Sequence, residues 1–132
     1  MALTFNRVLN HVITDAEPEH GTTVTSAEID IGDDTLVEQI WLHLRIASWG
    51  TAPTSGNFQV GIQPLETTSG TLSVDGAISF VGAIAADAAY AFSWPVASLP
   101  RYFKVVAFNN TANGHPNANT VQVYLEYVAV TA

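Results

Sequence analysis

The chain has 132 residues, 48% of them hydrophobic and 12% charged, with a formal net charge of −8, a globular composition and not a disordered one. At 14.1 kDa about two thirds of its surface can be buried on folding, enough for one core without staples. It has no cysteine, which excludes disulfides, zinc-thiolate sites, iron–sulfur clusters and thiol nucleophiles.

The four basic residues, Arg7, Arg45, Arg101 and Lys104, are scattered along the chain, whereas phosphate neutralisation needs clustered Lys or Arg, so direct nucleic-acid binding is not expected. The start, Met-Ala-Leu-Thr-Phe-Asn-Arg, has no apolar core of a signal peptide, and no apolar run reaches the length of a membrane span. A soluble, unprocessed chain with no membrane contact is the expectation.

In chain order, the first predicted strands are 7–14 and 22–31. In the second, Ala27, Ile29 and Ile31 face one way and Glu28 and Asp30 the other. Gly32 then bends the chain, with Asp33 and Asp34 solvated. The clearest alternation follows: Ile40, Leu42, Leu44 and Ile46 against Trp41, His43, Arg45 and Ala47, a strand with one apolar face. Phe58, Val60 and Ile62 repeat the pattern, and the segment Thr51-Ala-Pro-Thr-Ser-Gly56 predicts a wide loop joining the two runs as hairpin neighbours.

Asp75-Gly76, between Leu72-Ser-Val74 and Ala77-Ile-Ser-Phe80, predicts a tight hairpin turn. Residues 83–91 are good helix formers but too few for a stable helix, and read as a loop or a single turn. Tyr90, Phe92 and Trp94 alternate with small residues before Pro95. The run from Arg101 to Phe108 is apolar on both faces, which predicts two-sided burial, and 121–130 places Val121, Val123, Leu125 and Tyr127 on one face. About eight strands with no long helical pattern predict an all-β fold: a single-domain antiparallel β-sandwich over residues 1–132, with the jelly roll as one form of it.

Sites of chemistry are sparse. Histidines 11, 20, 43 and 115 fall on different elements with no ligand spacing. Asp30, Asp33 and Asp34 could offer carboxylates to calcium, but the spacing is not that of a twelve-residue calcium loop, and a solvated strand-ending turn is the simpler reading. Glu17 and Glu19 read as exposed loop. No nucleophile elbow or phosphate-cradling loop occurs, so neither enzymatic activity nor a metal or organic cofactor is expected. The aromatic residues carry the remaining information: Trp41 stands opposite the aliphatic face, and Trp49 would continue its stripe if the strand ran so far. Trp41, His43, Arg45 and Trp49 are therefore the candidate interface residues, since large amphipathic side chains on an outer face suit a protein contact or sugar stacking.

Several segments together resemble the small β-sandwich virion proteins of tailed bacteriophages, the head decoration or capsid cement type. They are Ser26-Ala-Glu-Ile-Asp-Ile-Gly32, Ala52-Pro-Thr-Ser-Gly-Asn-Phe-Gln-Val60, the Asp75-Gly76 pair, Arg101-Tyr-Phe-Lys-Val-Val-Ala-Phe-Asn-Asn-Thr111 and Ala118-Asn-Thr-Val-Gln-Val-Tyr124. The resemblance implies a non-enzymatic protein made in the host cytoplasm. It would bind the capsid protein shell on the virion surface and brace it, commonly as a homo-oligomer and often as a trimer. A tail or baseplate component of the same fold, and a carbohydrate-binding module stacking sugars on Trp41, Trp49 or Trp94, are the alternatives.

Overall fold

The computed structural model describes residues 2–32, 36–64, 73–79 and 89–131. Eleven strand segments lie among them: β1 (Thr4–Ala16), β2 (Thr23–Thr25), β3 (Ile29–Asp30), β4 (Leu36–Ile46), β5 (Trp49–Thr51), β6 (Ser55–Pro64), β7 (Ser73–Ser79), β8 (Tyr90–Val96), β9 (Tyr102–Ala112), β10 (His115–Pro116) and β11 (Val121–Thr131). The surplus over the eight expected consists of segments two or three residues long. All pairings are antiparallel.

One sheet, here sheet A, has the order β1-β11-β4-β8, and the other, sheet B, has β2-β9-β6-β7 with β3 also on β9. A two-stranded ribbon pairs β5 with β10. The fold is thus all-β, as the period-two alternation predicts. One apolar cluster joins Leu42, Leu44, Val123 and Leu125 of sheet A to Phe58, Val60, Phe103 and Val105 of sheet B, all buried.

The aliphatic face of β4 and the Val121 to Tyr127 face of β11 are buried as their alternation predicts. Two-sided burial of β9 is also seen, with Val105, Val106 and Ala107 consecutively buried. Other expectations are corrected. β4 and β6 are not hairpin neighbours: β4 lies between β11 and β8, and β6 between β9 and β7, because the chain after Ile46 crosses from one sheet to the other through the β5 ribbon.

The predicted Asp75-Gly76 turn is instead the middle of β7. Val60 pairs Gly76 and Gly61 pairs Val74, so Asp75 is the extra residue of a bulge. Gly76 is required for a different reason. A Cβ there would sit 2.1 Å from Cδ2 of Trp94, so the missing side chain lets an indole of sheet A lie directly on the backbone of sheet B.

The single strand expected over 22–31 is split. Ser26 accepts the Val105 N–H on its own hydroxyl oxygen at 2.9 Å, replacing a ladder bond by a side-chain bond. Ile29 and Ile31 still pack on the core, but Ala27 is exposed. Of residues 83–91, 83–88 lie outside the described residues, and Tyr90 and Ala91 begin β8. Asp33 and Asp34 also lie outside them.

Candidate interface on sheet A

Residues directly opposite in an antiparallel pair share a face, so the registers lay out the outer surface of sheet A as rows. Across β1, β11 and β4 run Phe5, Val130 and Leu36, then Arg7, Val128 and Glu38. With β8 included, the next row is Leu9, Glu126, Trp41 and Pro95, followed by His11, Tyr124, His43 and Ser93, and then Gln122, Arg45 and Ala91. Four strands and five rows cover roughly 15 by 27 Å at ordinary sheet spacings.

A bulge decides which residues reach this face. Glu126 pairs Trp41 and Val128 pairs Glu38, so β4 spends one residue more than β11 over the interval, and Gln39 takes a positive φ of 49°. The alternation inverts there. Leu36 and Glu38, even-numbered like the buried Ile40, stand on the outer face with the odd-numbered Trp41.

Large apolar side chains concentrate on these rows: Leu36 is 70% exposed, Phe5 60%, Leu9 48% and Trp41 39%. Val130, on the same face between its cross-strand neighbours Phe5 and Leu36, is buried and lies outside the core cluster. Four large apolar side chains exposed on one face are a feature of surfaces that meet another molecule. The face is also nearly balanced in charge, with Arg7 and Arg45 against Glu38 and Glu126, on a chain of net charge −8.

A polar cluster sits in its middle. Glu126 is paired with Arg7, and Nε2 of His43 lies 3.1 Å from its other carboxylate oxygen. Nδ1 of His43 lies 2.6 Å from the Ser93 hydroxyl. The tautomer that donates from Nε2 to the carboxylate leaves Nδ1 to accept from Ser93. His11 rests its ring on Tyr124 at 4.4 Å between centroids.

The hydrogen bond from His43, and after it that from Arg7, holds the Glu126 carboxyl below its ordinary range. An acid whose pKa is lower folded than unfolded contributes stability above its unfolded pKa and loses it as pH falls through the folded one. Glu126→Gln is therefore expected to reduce the fall in melting temperature on acidification below about pH 4.5, checked by thermal melts across pH 2.5 to 7.

Of the four interface candidates, Trp41, His43 and Arg45 stand together on this face. Trp49 does not. β4 ends at Ile46, and Trp49 is fully buried in the core, set edge-on to Phe58 at 6.2 Å with its indole N–H donated to the Thr51 carbonyl. Trp94 is also turned inward, stacked on Phe92 at 5.9 Å between centroids and laid on Gly76. Sequence reasoning missed Phe5, Leu9 and Leu36, whose apolar character was legible but whose side of the sheet depends on the register with β11 and on the Gln39 bulge.

Elsewhere, Oδ1 of Asp30 accepts from the Gly32 amide at 2.8 Å and from Nε of Arg101 at 3.3 Å. The Gly32 bond first, and Arg101 after it, hold that carboxyl below its ordinary range. A calcium ion there would have to displace a guanidinium. Two grooves open on the surface, one lined by Thr23, Thr25, Gln63, Val106 and Phe108 and one by Asn10, His11, Val12, Ser26, Ala27 and Ile29. Neither brings together a nucleophile, base and orienting acid.

Neither a protein-family model nor a curated protein matches this chain.

Proposed function

We propose that this chain is a non-enzymatic virion structural protein of a tailed bacteriophage, a capsid cement or decoration protein that lays the outer face of sheet A on the head shell. The observation that carries the reading is the collection of Phe5, Leu9, Leu36 and Trp41 on one nearly charge-balanced sheet face. Such a face suits burial against a protein surface, with exposed apolar side chains set around a central polar cluster.

The topology supports the same reading. With β2 and β3 counted as one interrupted strand and the β5–β10 ribbon set aside, eight strands remain among the described residues. Numbered along the chain, they run 1-8-3-6 in one sheet and 2-7-4-5 in the other. We read this order as that of a jelly roll, the architecture of many capsid and lectin domains. Against the lectin alternative, Trp49 and Trp94 are turned inward, which leaves Trp41 as the indole that could stack on a sugar.

Mass spectrometry of purified virions whose genome carries this sequence tests the location directly, and absence of the protein from them overturns it. Trp41→Ser tests the face. The substitution is expected to leave the strand-dominated circular dichroism spectrum unchanged and to weaken co-sedimentation with shells roughly thirtyfold or more, the scale of a Trp anchor. Unchanged attachment would move the contact off this face.

A further inference from the structure

Among the described residues sheet A ends in two different edges. At β8 the edge carries Pro95, which has no N–H to offer and blunts the strand against further pairing. At the other side β1 pairs only with β11 among the described residues. Its register is regular from Thr4 to His11 and shifts only beyond, between His11 and Ile13 and again before Ala16. Eight consecutive residues without proline therefore present an open ladder. Thr4 and Asn6, on the side that faces sheet B, are exposed, so the chain's own second layer does not shield this end of the strand.

We infer that this edge is a homodimer contact, in which β1 of a second copy pairs antiparallel with β1 about a twofold axis normal to the sheet, making one continuous eight-stranded sheet. The occupant follows from charge. From Thr4 to Thr14 the chain has no acid, while eight of its twelve acids lie between Asp15 and Glu38. This is thus a stretch along which two chains of net charge −8 can approach closely.

The axis restricts the register. Residues of like face must meet, so the two numbers of each facing pair sum to an even value, and only sums of 14 and 16 use seven residues of the regular segment. A sum of 14 sets Arg7 on Arg7 of the partner subunit. A sum of 16 sets Val8 on the partner's Val8, Arg7 on the partner's Leu9, Phe5 on the partner's His11 and Asn6 on the partner's Asn10, with no like-charged pair. The second register is the one assigned. It also joins the two outer faces side by side, so each dimer carries two copies of the Phe5, Leu9, Leu36 and Trp41 patch facing one way.

This pairing does not depend on what that patch binds. Light scattering coupled to size exclusion, over a range of concentrations, is expected to give twice the 14.1 kDa chain mass. A monomer at every concentration overturns the proposal, and so does a trimer.

Two double variants test the register. Asn6→Lys with Asn10→Lys puts lysine opposite lysine twice per dimer, whereas Asn6→Lys with Asn10→Glu puts lysine opposite glutamate twice. Within one strand the two positions are too far apart to interact. The first is expected to dimerise on the order of tenfold more weakly than the second, although its net charge of −6 (−8 + 2) is smaller than the other's −8 (−8 + 1 − 1). Circular dichroism confirms that each variant is folded. Equal dimerisation of the two, or its loss in both, overturns the assigned pairing.

Discussion

Asn109→Asp is expected to destabilise the protein by about 3–5 kcal/mol at pH 7, the cost of losing two buried hydrogen bonds and burying a charge in their place. Asn109 is fully buried at the inner face of β9 and uses both ends of its amide. Nδ2 donates to the carbonyls of Pro18 and Gly114 at 2.9 and 3.0 Å. Oδ1 accepts from the Thr111 N–H and hydroxyl at 3.1 and 2.6 Å. Its backbone is engaged as well, with the Gly21 N–H donating to its carbonyl and its own N–H donating to Thr22.

The side chain thus ties the segment between β1 and β2 to the turn after β9, and a nearly isosteric carboxylate keeps the accepting half only. The donors vanish, and an anion faces two carbonyl oxygens. The aspartate's pKa in the folded state is then raised above its unfolded value, so the deficit relative to the parent shrinks as pH falls and the carboxyl regains a proton to donate. Melting curves of parent and variant at pH 7 and pH 4 check both statements. The expected loss at pH 7 is roughly 10–20 °C for a domain of this size.

Trp49→Ala is the second large effect, expected to cost about 3–5 kcal/mol. The indole fills the core where the chain crosses between sheets, against Phe58. Its removal opens a cavity in close-packed surroundings and leaves the Thr51 carbonyl without the donated N–H. Urea denaturation should show the midpoint falling with little change in slope. The comparison with Trp41→Ser is informative: two tryptophans eight positions apart are expected to separate folding from attachment, one governing each.

These two tryptophans also mark the limit of what the chain reveals about itself. Alternation assigns sides within one strand, and it placed Ile40, Leu42, Leu44 and Ile46 inside and Trp41, His43 and Arg45 outside because that stretch is regular. It says nothing of where a strand stops, so the odd-numbered Trp49 looked like a continuation of the outer stripe although the strand ends three residues before it. Nor does it detect an inserted residue: Gln39 inverts the parity of Leu36 with no local sign in composition.

Partner choice is less legible still. The loop before Gly56 fits a hairpin as well as a crossing between sheets, and the decision rests on β9 and β11, more than forty residues away. Asp75-Gly76 carries the residue types of a tight turn, yet the glycine is needed there for Trp94, a requirement no short window of sequence contains. The apolar patch is spread over Phe5, Leu9, Leu36 and Trp41 for the same reason, since only β11 brings its parts together.

The central place of β11 in sheet A bears on how the molecule comes into being. Its two neighbours, β1 and β4, are made long before it, and neither can complete its side of the sheet until β11 has been synthesised. Loop closure across more than a hundred residues must precede the pairing of β1 with β11, so this sheet forms after translation of β11 and slowly for its size. In the interval the emerging chain displays β1 and β4 with open ladders and apolar faces, the condition in which neighbouring chains on one message can pair wrongly. A tag or truncation that alters β11 therefore acts on the yield of folded protein before it acts on anything the folded protein does.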